Sequence, residues 1–146
     1  MFNLIMRSVD WDTGRETMPV GRVFEYTDDH VADQFRQNGN LLLDRLTRLP
    51  CLFMQEGTGD EIAYVGQINR ARIVGGDVAF EYTLDADVPP LQNSMIYANR
   101  MSLDMPHDFE FSRNHWAVGQ RRNGVREETG SGLFSPRGRP RHQMGS

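Results

Sequence analysis

The sequence contains no lysine, and all 16 of its basic side chains are arginine. This absence excludes mechanisms that need a lysine, such as the phosphate-binding lysine of a P-loop or a Schiff-base lysine. A single cysteine, Cys51, excludes an intramolecular disulfide framework and is typical of a protein in the reducing cytoplasm. No apolar run approaches the roughly 18–20 residues of a membrane span, and the first residues lack the pattern of a secretory signal. We therefore expect a cytoplasmic protein with no membrane partner.

Length and charge divide the 146-residue chain into two unequal parts. Residues 113–146 carry seven arginines and two glutamates, whereas residues 1–112 carry nine arginines and 18 acidic side chains, a net charge of −9. From position 119 onward six glycines accompany few large apolar side chains, a composition that cannot offset the entropy of ordering. We predict a single globular α+β domain over 1–118 and a basic, disordered tail over 119–146.

The most specific local signal is a two-glycine turn between β-rich segments. Gly75–Gly76 joins 61–74 to 77–84, and two glycines supply the positive φ of a type I′ hairpin turn. Opposed residues then have numbers that sum to 151, which places Asn69 opposite Tyr82. The side chains predicted to face inward on the second strand are those of Val78, Phe80, Tyr82 and Leu84.

Helical periodicity begins near Asp28. Apolar residues at positions 31, 35, 42, 46 and 49 share one helical face, which predicts a main helix from about Asp28 to Arg48. The Asn38–Asn40 segment lies in its middle and indicates a kink or break there. A second, shorter helix is predicted between Pro90 and Pro106. The predicted fold class is α+β, with these helices packed on an antiparallel sheet of about five or six strands.

The tail contains Pro136–Pro140, with the sequence Pro-Arg-Gly-Arg-Pro, and this segment resembles the core of the AT-hook, a short DNA-binding peptide. The resemblance implies that Arg137 and Arg139 enter the narrow minor groove of A·T-rich DNA and that Gly138 lies on the groove floor, while Arg141 contacts phosphate. The physical chemistry agrees, because glycine permits close backbone approach and the narrow groove attracts guanidinium groups.

A second cluster lies just before the tail. Arg113, His115 and Trp116 follow Phe109 and Phe111, and they could form a ligand site in which the indole ring stacks and the arginine binds an anion. The alternative is that the tryptophan is a large core side chain and the histidine its partnered neighbour.

No pattern for catalysis or metal binding emerges elsewhere. Cys51 opens an apolar run, where cysteine is usually inert, and His30 has no second histidine at ligand spacing. We expect no catalytic residue, no metal and no cofactor. The leading hypothesis is a small non-enzymatic binding or adaptor protein whose tail contacts DNA. The alternatives are a small enzyme or ligand-binding domain with a site in 107–116, and a subunit that binds a protein partner or a second copy of itself.

Overall fold

The computed structural model describes residues 1–121. Nine strands, three short α-helices and three 3-10 helices lie in this part of the chain. The strands are β1 (Phe2–Arg7), β2 (Arg15–Pro19), β3 (Arg36–Gln37), β4 (Asn40–Leu41), β5 (Cys51–Gln55), β6 (Ile62–Val74), β7 (Asp77–Leu84), β8 (Leu91–Gln92) and β9 (His115–Gly119). The α-helices are α1 (Asp29–Ala32), α2 (Leu43–Leu46) and α3 (Asn93–Ala98). None of the helices within 1–121 is long and apolar enough to cross a membrane.

Seven strands form one sheet, in the order β2-β7-β6-β5-β1-β9, with β8 paired to β6 away from this path. The α+β class is confirmed, but the prediction of an antiparallel sheet is wrong, because β1 and β5 are parallel and the sheet is mixed. Both of these strands are buried along almost their whole length. Continuous apolar runs of this kind are typical of strands covered on both faces, as parallel strands are.

The sheet is strongly curled, so that distant strands approach one another. Arg7 at the end of β1 forms an ion pair with Glu16 in β2. The ring of Phe80 in β7 lies 5.4 Å from that of Trp116 in β9, and a backbone bridge joins Trp116 to Val23. The curl encloses an inner side and leaves an outer side.

The inner side holds the larger of two hydrophobic clusters. Trp11, in the connection between β1 and β2, covers one end of this cluster, and its indole N–H donates to the carbonyl of Met54 at 3.0 Å. Its ring lies 4.9 Å from that of Phe53 and 5.2 Å from that of Tyr82. Aromatic contacts therefore connect the β1–β2 connection to β5 and β7 across the interior.

The predicted main helix over 28–48 is wrong. The structure has α1, a 3-10 helix, the β3–β4 hairpin and α2 in its place. Asn38 and Gly39 have φ angles of 55° and 81°, which a right-handed helix cannot contain and which a tight hairpin turn requires. The periodic apolar residues still face the core: Val31, Phe35 and Leu46 are buried. The region between Pro90 and Pro106 contains β8 and α3, which has only six residues.

The predicted two-glycine hairpin between β6 and β7 is confirmed, with one change of register. The predicted type I′ turn is wrong, because only Gly75 has a positive φ, 60°, which is the pattern of a type II′ turn. Pairing follows the prediction from the turn as far as Arg70 and Glu81, after which a bulge shifts β6 by one residue. Ile68, not Asn69, therefore lies opposite Tyr82. The extra residue lets the apolar Ile68 reach the buried side while Asn69 stays exposed. Of the four side chains predicted to face inward, three are buried and Leu84 is partly buried.

The outer side of the sheet has a covered half and an open half. Residues 88–112, including α3 and a 3-10 helix at Asp108–Ser112, pack on β1, β5 and the first part of β6. We call this the covered half. The open half consists of β2, β7 and the second part of β6, residues 69–74. Its outward side chains are mostly exposed to solvent.

Candidate functional site

The cluster predicted at Arg113, His115 and Trp116 does not form one site. Successive residues of a strand point to opposite faces, so in β9 the Trp116 side chain lies on the inner side and His115 on the outer side. Trp116 is 0 % exposed, and its indole N–H donates to Asn3 Oδ1 at 2.9 Å. A ligand cannot stack on this ring in the described conformation.

Arg113 lies at the surface, just before β9. Its guanidinium donates two hydrogen bonds to the carboxylate of Glu25, at 2.8 and 2.9 Å. The same contact, a hydrogen bond reinforced by charge, lowers the pKa of Glu25. This arginine is already paired, so it is a weaker candidate for binding an anion than an unpaired one.

His115 forms a sealed pair with Glu110, a residue that the sequence analysis did not single out. Their side chains are 0 and 1 % exposed, and Nε2 of the histidine lies 3.2 Å from Glu110 Oε2. Nδ1 lies 2.6 Å from the carbonyl of Arg113. Because a carbonyl only accepts, Nδ1 carries a hydrogen, and the contact at Nε2 holds one proton that either the carboxyl or the imidazole can carry.

The surroundings of this pair raise the pKa of Glu110. Burial is the main cause, and the hydrogen bond from His115 opposes it. The other carboxyl oxygen, Oε1, is buried with no hydrogen-bond partner among the described residues. The Tyr26 ring packs 5.1 Å from that of His115 and 5.9 Å from that of His107. Both side chains of the pair are sealed from solvent, so no substrate reaches them in this conformation.

Left-handed backbone concentrates near the same pair. Three of the four non-glycine residues with positive φ among residues 1–121 are Phe24, Tyr26 and Asp104. Tyr26 contacts His115, and Asp104 acts electrostatically on Glu110. Such conformations cost about 1–3 kcal/mol each and persist only where the surroundings hold them.

A second group of charged side chains lies on the open half, and the strand register assembles it. Arg15 in β2 and Arg70 in β6 both lie opposite Glu81 in β7. In the next row, Thr17 and Arg72 lie on either side of Ala79. We call these six residues the arginine surface.

The arginine surface is concave, and its arginines have no carboxylate partner in the part of the chain that the structure describes. A depression of about 330 Å³ is lined by its residues, together with the flanking Glu16, Ala71 and Phe80. The small side chains of Thr17 and Ala79 leave room between the longer arginines. Within residues 1–121 no ion pair involves Arg15, Arg70 or Arg72, although Arg7, Arg36, Arg100 and Arg113 all have carboxylate partners.

Unpaired arginines of this kind suit anion recognition. A guanidinium remains charged at every physiological pH and donates planar, bidentate hydrogen bonds to carboxylate or phosphate groups. The hairpin alternation placed Arg70 and Arg72 on the exposed side and so contained a signal for this surface. The contribution of Arg15 required the pairing of β2 with β7, which no sequence pattern predicted.

The residues of the AT-hook-like motif, Arg137, Gly138, Arg139 and Arg141, lie outside the described residues. Cys51 is fully buried, and burial raises the pKa of its thiol, which makes it a poor nucleophile. Residues 1–121 contain no group of three or more histidine, cysteine or acidic side chains placed to hold a metal ion.

Comparison with known proteins finds no match: no family model, no curated protein and no solved structure is significantly similar to this chain.

Proposed function

We propose that the protein is a non-enzymatic adaptor that binds a short acidic segment of a partner on its arginine surface, and whose C-terminal segment contacts A·T-rich DNA. The observation that supports the first part is a set of three arginines around a shared depression, none of which has a carboxylate partner among residues 1–121. Charged side chains without partners inside the fold are available to a partner outside it.

The overall charge favours a short anionic ligand over a long one. Residues 1–121 carry 11 arginines and 18 acidic side chains, so an extended polyanion would meet repulsion beyond the arginine surface. A short acidic segment contacts only the local positive charge, because exposed charges are screened beyond about 8–10 Å at physiological salt. Acidic peptide is therefore a better match for this surface than duplex DNA.

Titration of a labelled decaglutamate peptide into the full chain tests this binding. We expect Arg70→Ala/Arg72→Ala to weaken binding roughly tenfold, which corresponds to about 1.4 kcal/mol. The matched control is Arg45→Ala/Arg48→Ala, which removes the same charge from exposed positions in and next to α2. Equal losses in both double variants would show an effect of net charge alone. Absence of binding by the unaltered chain would overturn the proposal.

The DNA contact is supported by the resemblance of Pro136–Pro140 to the AT-hook. A single motif of this size should bind A·T-rich duplex with a Kd near the nonspecific range, about 10⁻⁴ to 10⁻⁶ M. Arg137→Ala/Arg139→Ala should abolish the preference for A·T-rich over G·C-rich hairpins in a fluorescence titration. Arg122→Ala/Arg126→Ala, a change of the same charge outside the motif, should keep that preference. Equal affinity of the unaltered chain for both duplexes would contradict this part.

The alternative of an enzyme using residues 107–116 has one specific observation in its favour, the buried Glu110–His115 pair. A carboxyl and an imidazole that share a proton are suited to acid–base chemistry. Both side chains are sealed from solvent, however, so catalysis would first require the 3-10 helix at 108–112 to move away. We therefore place binding ahead of catalysis.

A further inference from the structure

The second part of β6 has a free edge. On one side β6 pairs with β7 from Gly66 to Val74, where the turn begins. On the other side its pairing with β5 ends at Gly66, which lies opposite Cys51. Residues 69–74 thus continue beyond β5 with no strand partner on that side among the described residues. Five of these six residues are exposed, and the sixth, Ala71, is partly buried.

Backbone hydrogen-bonding groups point outward along this edge. Residues that flank a two-residue hairpin turn form a hydrogen-bonded pair, and bonded and non-bonded pairs then alternate along the ladder. Val74 and Asp77 flank the turn, so the odd-numbered Ala71 and Ile73 direct their N–H and C=O groups away from β7. An added strand can bond to these groups.

The terminal strands of the sheet, by contrast, are protected. The outer edge of β2 ends in Pro19, and Arg7 donates to the carbonyl of Thr17 at 3.2 Å. Along β9, the carbonyl of Trp116 accepts from Phe24 N–H, and Val118 N–H donates to Thr27 Oγ1 at 3.0 Å. Proline and covering segments are common ways to prevent unwanted strand pairing. Among residues 1–121, the edge at 69–74 contains no proline, and no hydrogen bond occupies the outward N–H and C=O groups of Ala71 and Ile73.

The side chains along the free edge alternate in chemistry. Arg70 and Arg72 lie on the outer side and belong to the arginine surface. Ala71 and Ile73 lie on the inner side, and Ile73 is 49 % exposed. A strand placed beside this edge would need acidic side chains on one face and apolar side chains on the other, because opposite charges and apolar pairs stabilise directly opposed positions.

We propose that the acidic partner binds as an additional antiparallel strand on residues 69–74 of β6, and that its sequence alternates acidic and apolar residues. This inference rests on the proposed function and specifies the binding mode. The acidic side chains lie opposite Arg70 and Arg72, while apolar side chains lie opposite Ala71 and Ile73. Main-chain hydrogen bonds supply affinity, and the alternating side chains supply specificity.

Charge argues against two other occupants. In a second copy paired antiparallel about Ala71, Arg70 would lie opposite Arg72 of the other copy, and like charges in directly opposed positions are destabilising. The chain's own residues 122–146 contain five arginines and two glutamates, so that segment does not complement the arginines. An acidic strand from another protein matches the edge in both charge and pattern.

The test uses the full chain and a ten-residue peptide of alternating glutamate and valine. A second peptide with N-methylated valines keeps the charge but cannot donate the main-chain hydrogen bonds to Ala71 and Ile73. We expect the unmethylated peptide to bind at least about tenfold more tightly. On its addition, amide hydrogen exchange at Ala71 and Ile73 should slow, because the new strand covers these N–H groups.

Ala71→Pro provides the protein-side test. Proline removes an N–H that points away from β7, a position on an edge strand that tolerates proline, and Ala71→Val is the control that keeps the N–H. We expect the proline variant to lose at least tenfold in affinity for the unmethylated peptide and the valine variant to bind like the unaltered chain. The exchange measurement on the unaltered chain applies even where Ala71→Pro does not fold.

The outcomes separate this inference from the proposed function. If both peptides bind equally and Arg70→Ala/Arg72→Ala weakens both, the arginine surface binds acidic peptide but strand addition is wrong. If neither peptide nor decaglutamate binds, both proposals are wrong. A dimer of the unaltered chain in sedimentation that Ala71→Pro converts to monomer would identify a second copy as the occupant and overturn the inference.

Discussion

The covered and open halves of the outer side of the sheet differ in whether their charged side chains are buried and paired or exposed. At the border of the covered half with β9, Glu110 and His115 form a pair that is sealed from solvent, and each is the other's hydrogen-bond partner. The open half presents three arginines that have no carboxylate partner in residues 1–121. The two groups lie on the same side of one sheet. The segment that covers one half therefore determines which group is buried and which is exposed.

Because of this difference, the two halves should contribute to different properties of the protein, the covered half to stability and the open half to ligand binding. A buried carboxyl must be hydrogen-bonded or protonated, and its loss disturbs the packing around it. An exposed arginine contributes little to stability and remains available to a ligand. Substitutions in the covered half should therefore change the free energy of unfolding, and those in the open half should change binding.

The largest expected effect is in the covered half. Phe111 is 1 % exposed and packs edge-on against Tyr97, with ring centroids 5.1 Å apart. Phe111→Ala should lower the free energy of unfolding by about 3–5 kcal/mol, since it leaves a cavity. Phe109 lies in the same 3-10 helix and is 78 % exposed, so Phe109→Ala should change it by less than about 0.5 kcal/mol. Similar values from urea melts would mean that residues 107–112 do not cover the sheet.

A smaller effect should appear in the pH dependence of stability. Burial raises the pKa of Glu110, so the folded chain holds this proton more tightly than the unfolded chain does. The stabilisation that this tighter proton binding provides is fully present at a pH below the ordinary glutamate pKa, about 4.3. It is lost as the pH rises through the raised pKa of Glu110 in the folded chain. The glutamine side chain of Glu110→Gln cannot titrate, so this variant should lose less stability than the unaltered chain as the pH rises.

Urea melts between pH 4 and pH 8 measure that difference. The comparison is Glu81→Gln, which removes a carboxylate from the open half. If both variants flatten the pH profile equally, the effect comes from net charge and not from the sealed pair.

The smallest expected effect is at the surface ion pair between Arg113 and Glu25. The side chain of Arg113 is 45 % exposed, and exposed ion pairs contribute little. Arg113→Ala should therefore lower stability only slightly at pH 7. Because the pair lowers the pKa of Glu25, this contribution should vanish as pH falls through that lowered pKa. Thermal melts at pH 7 and at a pH below the lowered pKa of Glu25 measure this. Arg72→Ala in the open half, which removes no ion pair among residues 1–121, should not lower stability at either of these two pH values.

Sequence patterns predicted the hairpin well because its signals are local. The two glycines mark the position and length of the turn, although not its type, and alternation then assigns Phe80 inward and Arg70 outward. The bulge at Asn69 was not predictable in this way, because it depends on how Ile68 packs against the inner cluster. A shift of the strand register by one residue changes the local backbone little, and which register forms depends on which side chains become buried.

The candidate sites were harder to predict than the hairpin. Arg113, His115 and Trp116 are neighbours in sequence, yet strand alternation sends the histidine and the tryptophan to opposite faces of β9. Glu110 has no pattern that marks it as buried; it becomes so because the 3-10 helix turns it toward His115. Adjacency in sequence was therefore a poor guide to a shared site.

What the sequence by itself determined is local: the absence of lysine, the single inert cysteine, the Gly75–Gly76 turn and the apolar faces that enter the core. These follow from side-chain chemistry and from the conformations that individual residues permit. Only the tertiary structure decided that β1 and β5 pair in parallel, that Arg15 joins Arg70 and Arg72, and that residues 69–74 keep a free edge. Each of these depends on pairing between segments far apart in the chain, where the competing arrangements differ in burial and not in local conformation.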